Sequence, residues 1–555
     1  MIDNAVWRSR YAGALVNALA AATLGLGAVA CAPAGATGIT STPSILDYSH
    51  AGSDDSGWIL PAKNYANERY VNLNAITPSN VAQLKPVWTF KVSDNGPIEA
   101  PPIIWHGIAY ISSAHDHVYA IDVKTGALKW EFSDNPHVIS FAANRGVALL
   151  DGNVYLGTLD GRLIALNAET GKVVFDVVDV ADTRNAFFSM APLPYRNPRT
   201  GKTMLLMGAS NGDWGGIGNI SAFDPKDGHR LWQWNTVPGP GQRGHSTWGN
   251  SSWKRGGAAV WAMMALDPKT GMLYANTGNP QPDFNGSSHP GTNLYSDSLL
   301  ALNILGDKPK LVWYHQFTPH DTHDWDPAMP PVLFHAKVGG KVMPLVADGD
   351  KAGNFWLLNS RTGRLVNHVA VTFQYNQHSE PSRQGTVACP KHGIEFNGGS
   401  FDPKTDMFYV PSNSQCGLWK STKSATYIPG QFYLGGFFPQ LIGAAWGDLS
   451  AIDLDSGVFA WRHHDNLPMA GGVVSTASGL VFTGELDGDF DAFDATTGKE
   501  LWKYQTGSPI IAPPVVFTTD GREYVAVASG PAGTEQLPIL PKPDGTKLTM
   551  FAISR

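Results

Sequence analysis

Ala120-Ile-Asp122-Val-Lys-Thr125-Gly126, followed by Trp130, is the phrase on which the fold turns. It returns as Ala165-Leu-Asn167-Ala-Glu-Thr170-Gly171 with Phe175, and as Ala222-Phe-Asp224-Pro-Lys-Asp-Gly228 with Trp232. Two more clear copies run from Ala451 to Gly457 with Trp461, and from Ala492 to Gly498 with Trp502. Degenerate copies begin at Ala265, Ala301, Leu358 and Ser400. In each copy, alternating apolar residues make a strand that ends at the Asp or Asn. The Asx side chain then bonds the turn backbone, and Gly takes the positive φ that the tight turn requires. The next strand carries the aromatic residue, which is expected to pack between neighbouring units. Further strands precede many copies, among them Gly107-Ile-Ala-Tyr-Ile-Ser and Asn153-Val-Tyr-Leu-Gly.

A repeating unit of about four short antiparallel strands is a β-propeller blade. The fold class is therefore all-β. Eight blades fit the count best, with seven as the alternative. The long spacing between Trp232 and Trp313 implies loops inserted between strands for function. Val87-Trp88-Thr89-Phe90 and Glu523-Tyr-Val-Ala-Val-Ala are both strand-like, and pairing them would close the ring and remove its open edges.

Composition agrees with one large globular unit. The chain has 555 residues, of which 16% are charged and 11% aromatic, with 18 Trp and 60 Gly. Its net charge of −7 and lack of a basic run argue against nucleic acid as a partner. Residues 1–36 read as a secretory signal. Arg8 and Arg10 precede an apolar run from Ala12 to Ala30, and cleavage fits either before Cys31 or before Thr37. Cys31 also permits a lipid anchor. The propeller domain is expected over 45–555. Outside the signal only Cys389 and Cys416 remain, and in an oxidising compartment such as the periplasm they are expected to pair. No C-x-x-C-H haem motif occurs.

The chemistry concentrates in Thr318-Pro-His-Asp321-Thr-His-Asp324-Trp-Asp326, a loop with three carboxylates and two imidazoles. Carboxylates suit a hard cation, and an ionisable group beside a substrate suits general-base work. A solvated acidic loop is the plain alternative. Other loops add Gly208-Ala-Ser210-Asn-Gly-Asp213-Trp, Gly256-Gly-Ala-Ala-Val-Trp261, Thr277-Gly-Asn279-Pro, Asn144-Arg145-Gly and Asp350-Lys351-Ala-Gly-Asn-Phe.

With these loops, Asn64-Tyr-Ala-Asn-Glu-Arg-Tyr and Gly507-Ser-Pro-Ile-Ile-Ala-Pro-Pro, the chain resembles the pyrroloquinoline quinone (PQQ)-dependent alcohol dehydrogenases of the methanol/ethanol type from about Trp58 onward. The resemblance implies Asp324 as catalytic base. It implies Asp213, Asn279, Asp324 and Asp326 around Ca²⁺ or a lanthanide, an oxygen-only set suited to hard ions. Asp213 stands where the family usually carries Glu, and Asp326 where lanthanide-using members carry an additional Asp. Trp261 is expected to lie against the quinone, with Arg145 and Lys351 near it and Glu99, Ser189 and Ser210 hydrogen-bonding it. Cys389 and Cys416 match a family disulfide. Ile139-Ser140 replaces the family's adjacent cysteines, and Thr322-His323 and Pro327-Ala-Met depart from the usual active-site segment.

The reading that follows is a periplasmic dehydrogenase that oxidises an alcohol and passes electrons to a separate c-type cytochrome. A homodimer is an open assembly state, and a bulky alcohol or an aldehyde is an open substrate. The rival is a cofactor-free propeller scaffold of outer-membrane assembly, lipid-anchored through Cys31.

Overall fold

Eight sheets, each of four or five strands and antiparallel except where Tyr70–Val71 pairs in parallel with Val474–Thr476, account for almost all the regular structure. They are seen in a computed structural model that describes residues 42–45, 47–134, 144–178, 187–533 and 540–554. The signal segment with Cys31, and Ile139-Ser140, lie outside the described residues. In chain order, seven blades cover residues 103–132, 148–178, 193–235, 265–316, 332–370, 386–465 and 474–505. The eighth joins the N-terminal strand Leu84–Lys91 to the last three strands, Val515–Thr519, Arg522–Ser529 and Lys547–Ile553.

The repeated phrase folds as its residues dictate. Asp122 Oδ1 accepts the backbone N–H groups of Lys124 at 3.1 Å and Thr125 at 3.0 Å, and the Thr125 hydroxyl at 2.9 Å. Gly126 follows at φ 71°. The turn then becomes a docking point for the preceding blade. Trp88 donates its indole N–H to Val123 O at 2.7 Å, Trp130 to Ala168 O at 2.8 Å and Trp461 to Ala495 O at 2.9 Å. A Cβ on Gly126 would meet the Trp88 ring at 2.8 Å, and one on Gly171 the Trp130 ring at 2.7 Å. Gly therefore serves both the φ and the close aromatic approach. Trp502 completes the circle by donating to Leu84 O of the eighth blade at 3.2 Å.

Two sequence expectations need correction. Ala265 and Ser400 begin phrase-like turns that join the first strands of their blades, Ala265–Asp267 to Met272–Thr277 and Ser400–Asp402 to Met407–Ser421. An Asx residue and a positive φ suit any tight hairpin, so these two copies are out of phase with the rest. The ring closes in the expected blade but through a different pair. Leu84–Lys91 pairs with Lys547–Ile553, while the strand containing Glu523 lies on the far side of that last strand. Both edges of Lys547–Ile553 are thereby satisfied, and six of its seven residues are buried at the seam.

Candidate active site

The segment 318–327 is a loop, and its three carboxylates divide the labour. Asp321 turns inward: Oδ1 accepts His323 N–H at 2.9 Å and Oδ2 accepts Trp325 N–H at 2.7 Å. Trp325 is fixed by a stack on His323 with centroids 4.1 Å apart and by donating to Pro390 O at 3.1 Å. That scaffold holds Asp324 at φ 62°, a left-handed conformation that Asp tolerates better than most residues. Asp324 and Asp326 face one cavity of about 290 Å³.

The same cavity is lined by Glu99, Arg145, Ser189, Ser210, Asp213, Trp261, Asn279 and Lys351. All the positions singled out by the resemblance for cofactor or metal thus converge, from loops spread over 99–351. Lys351 Nζ lies 2.8 Å from Asp324 Oδ1 and 2.8 Å from Asp326 Oδ1. Trp261 donates its indole N–H to Asp326 Oδ2 at 2.7 Å. Pro327 bridges Asp350 and leaves the Asp326 carboxylate pointing inward. Arg145 pairs with Glu99 at 2.9 Å and donates to Ser189 Oγ at 2.9 Å, and Ser189 and Ser210 hydroxyls are 2.7 Å apart. The Arg145 guanidinium also lies over the Trp261 ring at 5.0 Å and the Phe396 ring at 4.2 Å.

Negative charge exceeds positive here. Burial pushes the Asp213 carboxyl up to about 6, with Lys351 pulling it down and Asp326 pushing it up. Burial also raises Asp324 well above the carboxylate range, opposed by Lys351 and assisted by Asp326. For Lys351 burial disfavours the charge, yet Asp324 and Asp326 outweigh it and hold the ammonium protonated. One ammonium among three carboxylates leaves a deficit of positive charge in a largely buried cavity. The donor set Asp213, Asn279, Asp324 and Asp326 therefore fits a hard cation, and the paired cations Arg145 and Lys351 beside the Trp261 face fit a flat polycarboxylate.

Several site residues escaped the sequence reading. Gln281 donates to Asp213 Oδ1 at 3.3 Å, and behind it lies Asp283, raised well above its usual range by burial and by Asp213. His392, Glu395 and Phe396 also line the cavity. His392 Nε2 is 3.8 Å from Asp324 Oδ2, and burial with Lys391 and Lys351 nearby keeps the imidazole neutral. These residues follow Cys389, which is bonded to Cys416. Gly393 N–H donates to Lys351 O at 2.7 Å and Ile394 N–H to Asp350 O at 3.0 Å, so the segment is stitched directly to Lys351. A non-reduced digest should yield the linked Cys389–Cys416 peptides, and two free thiols in exported protein would refute the pairing. Breaking the link by Cys389→Ser is expected to cost about 3 kcal/mol of stability, read as a lower denaturation midpoint.

Fold and cavity together define a quinoprotein-type propeller. The family model described as the PQQ glucose/ethanol/alcohol dehydrogenase beta-propeller domain matches residues 58–373 and 370–525. The quinoprotein alcohol dehydrogenase PedH of Pseudomonas putida is 35% identical over 518 residues, spanning 85% of this chain and 85% of that protein. A lanthanide-dependent methanol dehydrogenase of Methylacidiphilum fumariolicum is 32% identical, over 86% of this chain and 85% of its own length. Among solved structures, a europium-containing methanol dehydrogenase superposes with a TM-score of 0.81 at 29% identity, covering 91% of this chain and all of the other. The quinohemoprotein alcohol dehydrogenase of Comamonas testosteroni gives a TM-score of 0.84 at 27% identity, over 92% and 83% of the two chains. The chain belongs to the PQQ-dependent alcohol dehydrogenase family and is an oxidoreductase of that family. Membership sets aside the scaffold reading.

Proposed function

We propose that residues 45–555 form an exported, periplasmic enzyme that oxidises an alcohol to an aldehyde or ketone, preceded by a signal over 1–36. The observation that carries this reading is the placement of Asp324 in one cavity with an oxygen-only donor set, two basic side chains and the Trp261 ring. Asp324 takes the hydroxyl proton of the substrate. Its burial makes the carboxylate a stronger base than a solvated one, and Lys351 at 2.8 Å opposes that rise in part and aims the carboxylate. Asp213, Asn279, Asp324 and Asp326 would hold Ca²⁺ or a lanthanide ion. Arg145, Lys351, Glu99, Ser189 and Ser210 would hold PQQ against Trp261. When bound, PQQ supplies the hydride acceptor and the ion supplies Lewis acidity.

Phe187, Trp214 and Phe438 form an apolar wall of the same cavity, suited to the carbon skeleton of the alcohol, and exclude water from the proton transfer. Electrons then pass to a separate c-type cytochrome. The lanthanide-type relatives support a trivalent ion, since Asp326 enlarges the anionic set. Reconstitution of purified protein with PQQ and either Ca²⁺ or La³⁺ should produce a bound-quinone absorption band and dye-linked alcohol oxidation. Protein that takes up no quinone under either condition would refute the reading.

A further inference from the structure

A second cluster of carboxylates lies in the blade over 474–505, and the blade over 148–178 provides its internal control. In the earlier blade, the hairpin between Asn153–Gly157 and Arg162–Asn167 has its own cation: Arg162 pairs with Asp160 and Asp176 at 2.8 Å each, and with Asp134. The matching hairpin of the later blade, between Leu480–Gly484 and Asp489–Asp494, exchanges one of these pairs. Asp489 stands in the place of Arg162, and Lys503, 3.1 Å from it, in the place of Asp176. That exchange by itself preserves the charge balance.

Two further substitutions upset it. Glu485 replaces Thr158 and Asp491 replaces Ile164. Both are buried, at 1% and 0% exposure, and neither carboxylate accepts a hydrogen bond from any donor among the described residues. Lys503 is 3.8 Å from Asp491, and it is already engaged by Asp489 and Glu500. Two unneutralised carboxylates side by side in the interior require a cation or a shared proton. Glu485, Asp487 and Asp489 each offer an oxygen, all within 4.8 Å of one another. Ligands at ~2.3–2.6 Å from a Ca²⁺ ion span that separation across its coordination sphere.

We propose that Glu485, Asp487 and Asp489, with Asp491 behind them, form a second site for a hard divalent cation of the Ca²⁺ class, separate from the cavity of Asp324. The ion takes the place in this blade that the Arg162 guanidinium takes in its sister. It relieves the burial that otherwise pushes Glu485 up to about 11, with Asp491 adding to the rise, and Asp491 up to about 7.

The test is a count. Holoenzyme dialysed free of loosely held ions is titrated with Ca²⁺ and bound ion is measured by equilibrium dialysis. Wild-type protein is expected to hold one equivalent per chain more than Glu485→Gln, and Ca²⁺ is expected to raise the Tm of the wild type but not of the variant. The difference does not depend on which ion fills the cavity of Asp324. Asp487→Asn, at a half-buried position, should lose the same equivalent without placing an amide in the interior. Equal stoichiometry in wild type and both variants would overturn the site, and a rise in Tm on Glu485→Gln without ion binding would identify a shared proton instead.

Discussion

Asp324→Asn is expected to lower dye-linked alcohol oxidation at least ~100-fold while leaving the fold intact, because general-base catalysis contributes on that scale. The amide fills the same volume, and Asn accepts the left-handed backbone at φ 62° as readily as Asp. Lys351 keeps its second partner, Asp326, at 2.8 Å, so the variant does not strand a buried ammonium. The change removes the capacity to accept the hydroxyl proton and one negative charge from the proposed donor set, while Asn keeps an oxygen for the ion. Circular dichroism and thermal melting should match the wild type. More than about a tenth of the original turnover in a correctly folded variant would transfer the role of base elsewhere, with His392, 3.8 Å from Asp324, the first place to look.

The second large effect is expected at Asp326. In the unmutated protein, La³⁺ or Ce³⁺ should support higher turnover than Ca²⁺, since each added carboxylate favours the higher charge at similar radius. Asp326→Ala should reverse that order. Loss of one ligating carboxylate should weaken trivalent-ion binding at least ~10-fold, the equivalent of about 1.4 kcal/mol. The structure also gives Asp326 a competing duty, as acceptor of the Trp261 indole N–H at 2.7 Å. The two duties have different signatures. A residue that only orients Trp261 would, when removed, depress activity with both ions alike. Apo-protein reconstituted with each ion and assayed for turnover separates them, and equal or better activity with Ca²⁺ in the unmutated protein would end the lanthanide assignment.

What the sequence discloses is set by how local the physics is. The blades are legible because Asp122 and Gly126 encode their turn within five residues, and Trp130 encodes the contact with the next. The same locality misleads at Ala265 and Ser400, where a hairpin of another phase uses identical chemistry. The partner of Leu84–Lys91 could not be chosen from strand-like composition alone, since Arg522–Ser529 and Lys547–Ile553 both qualify. At the site, the resemblance of the loops to the family's segments pointed to Asp213, Asn279, Asp324 and Asp326. Which of the three carboxylates in 321–326 faces inward to the backbone was invisible, because it depends on the seat of Trp325 against Pro390. Gln281, Asp283 and His392 were missed for a related reason. His392 reaches the cavity, and Gln281 and Asp283 reach Asp213, only through contacts between segments distant in sequence, which residue type alone does not reveal.

The seam of the eighth blade also imposes an order on biosynthesis. Thr89 and Thr549 share a hydrogen bond across 460 residues of chain, so the ring cannot shut until the final strand is available. Loop closure on that scale is slow, and a nearly complete chain displays the unpaired edges of Leu84–Lys91 and Arg522–Ser529 while it waits. For the exported chain proposed above, that delay would be useful: the polypeptide would stay unlatched on the synthesising side and lock only after its last residues had crossed.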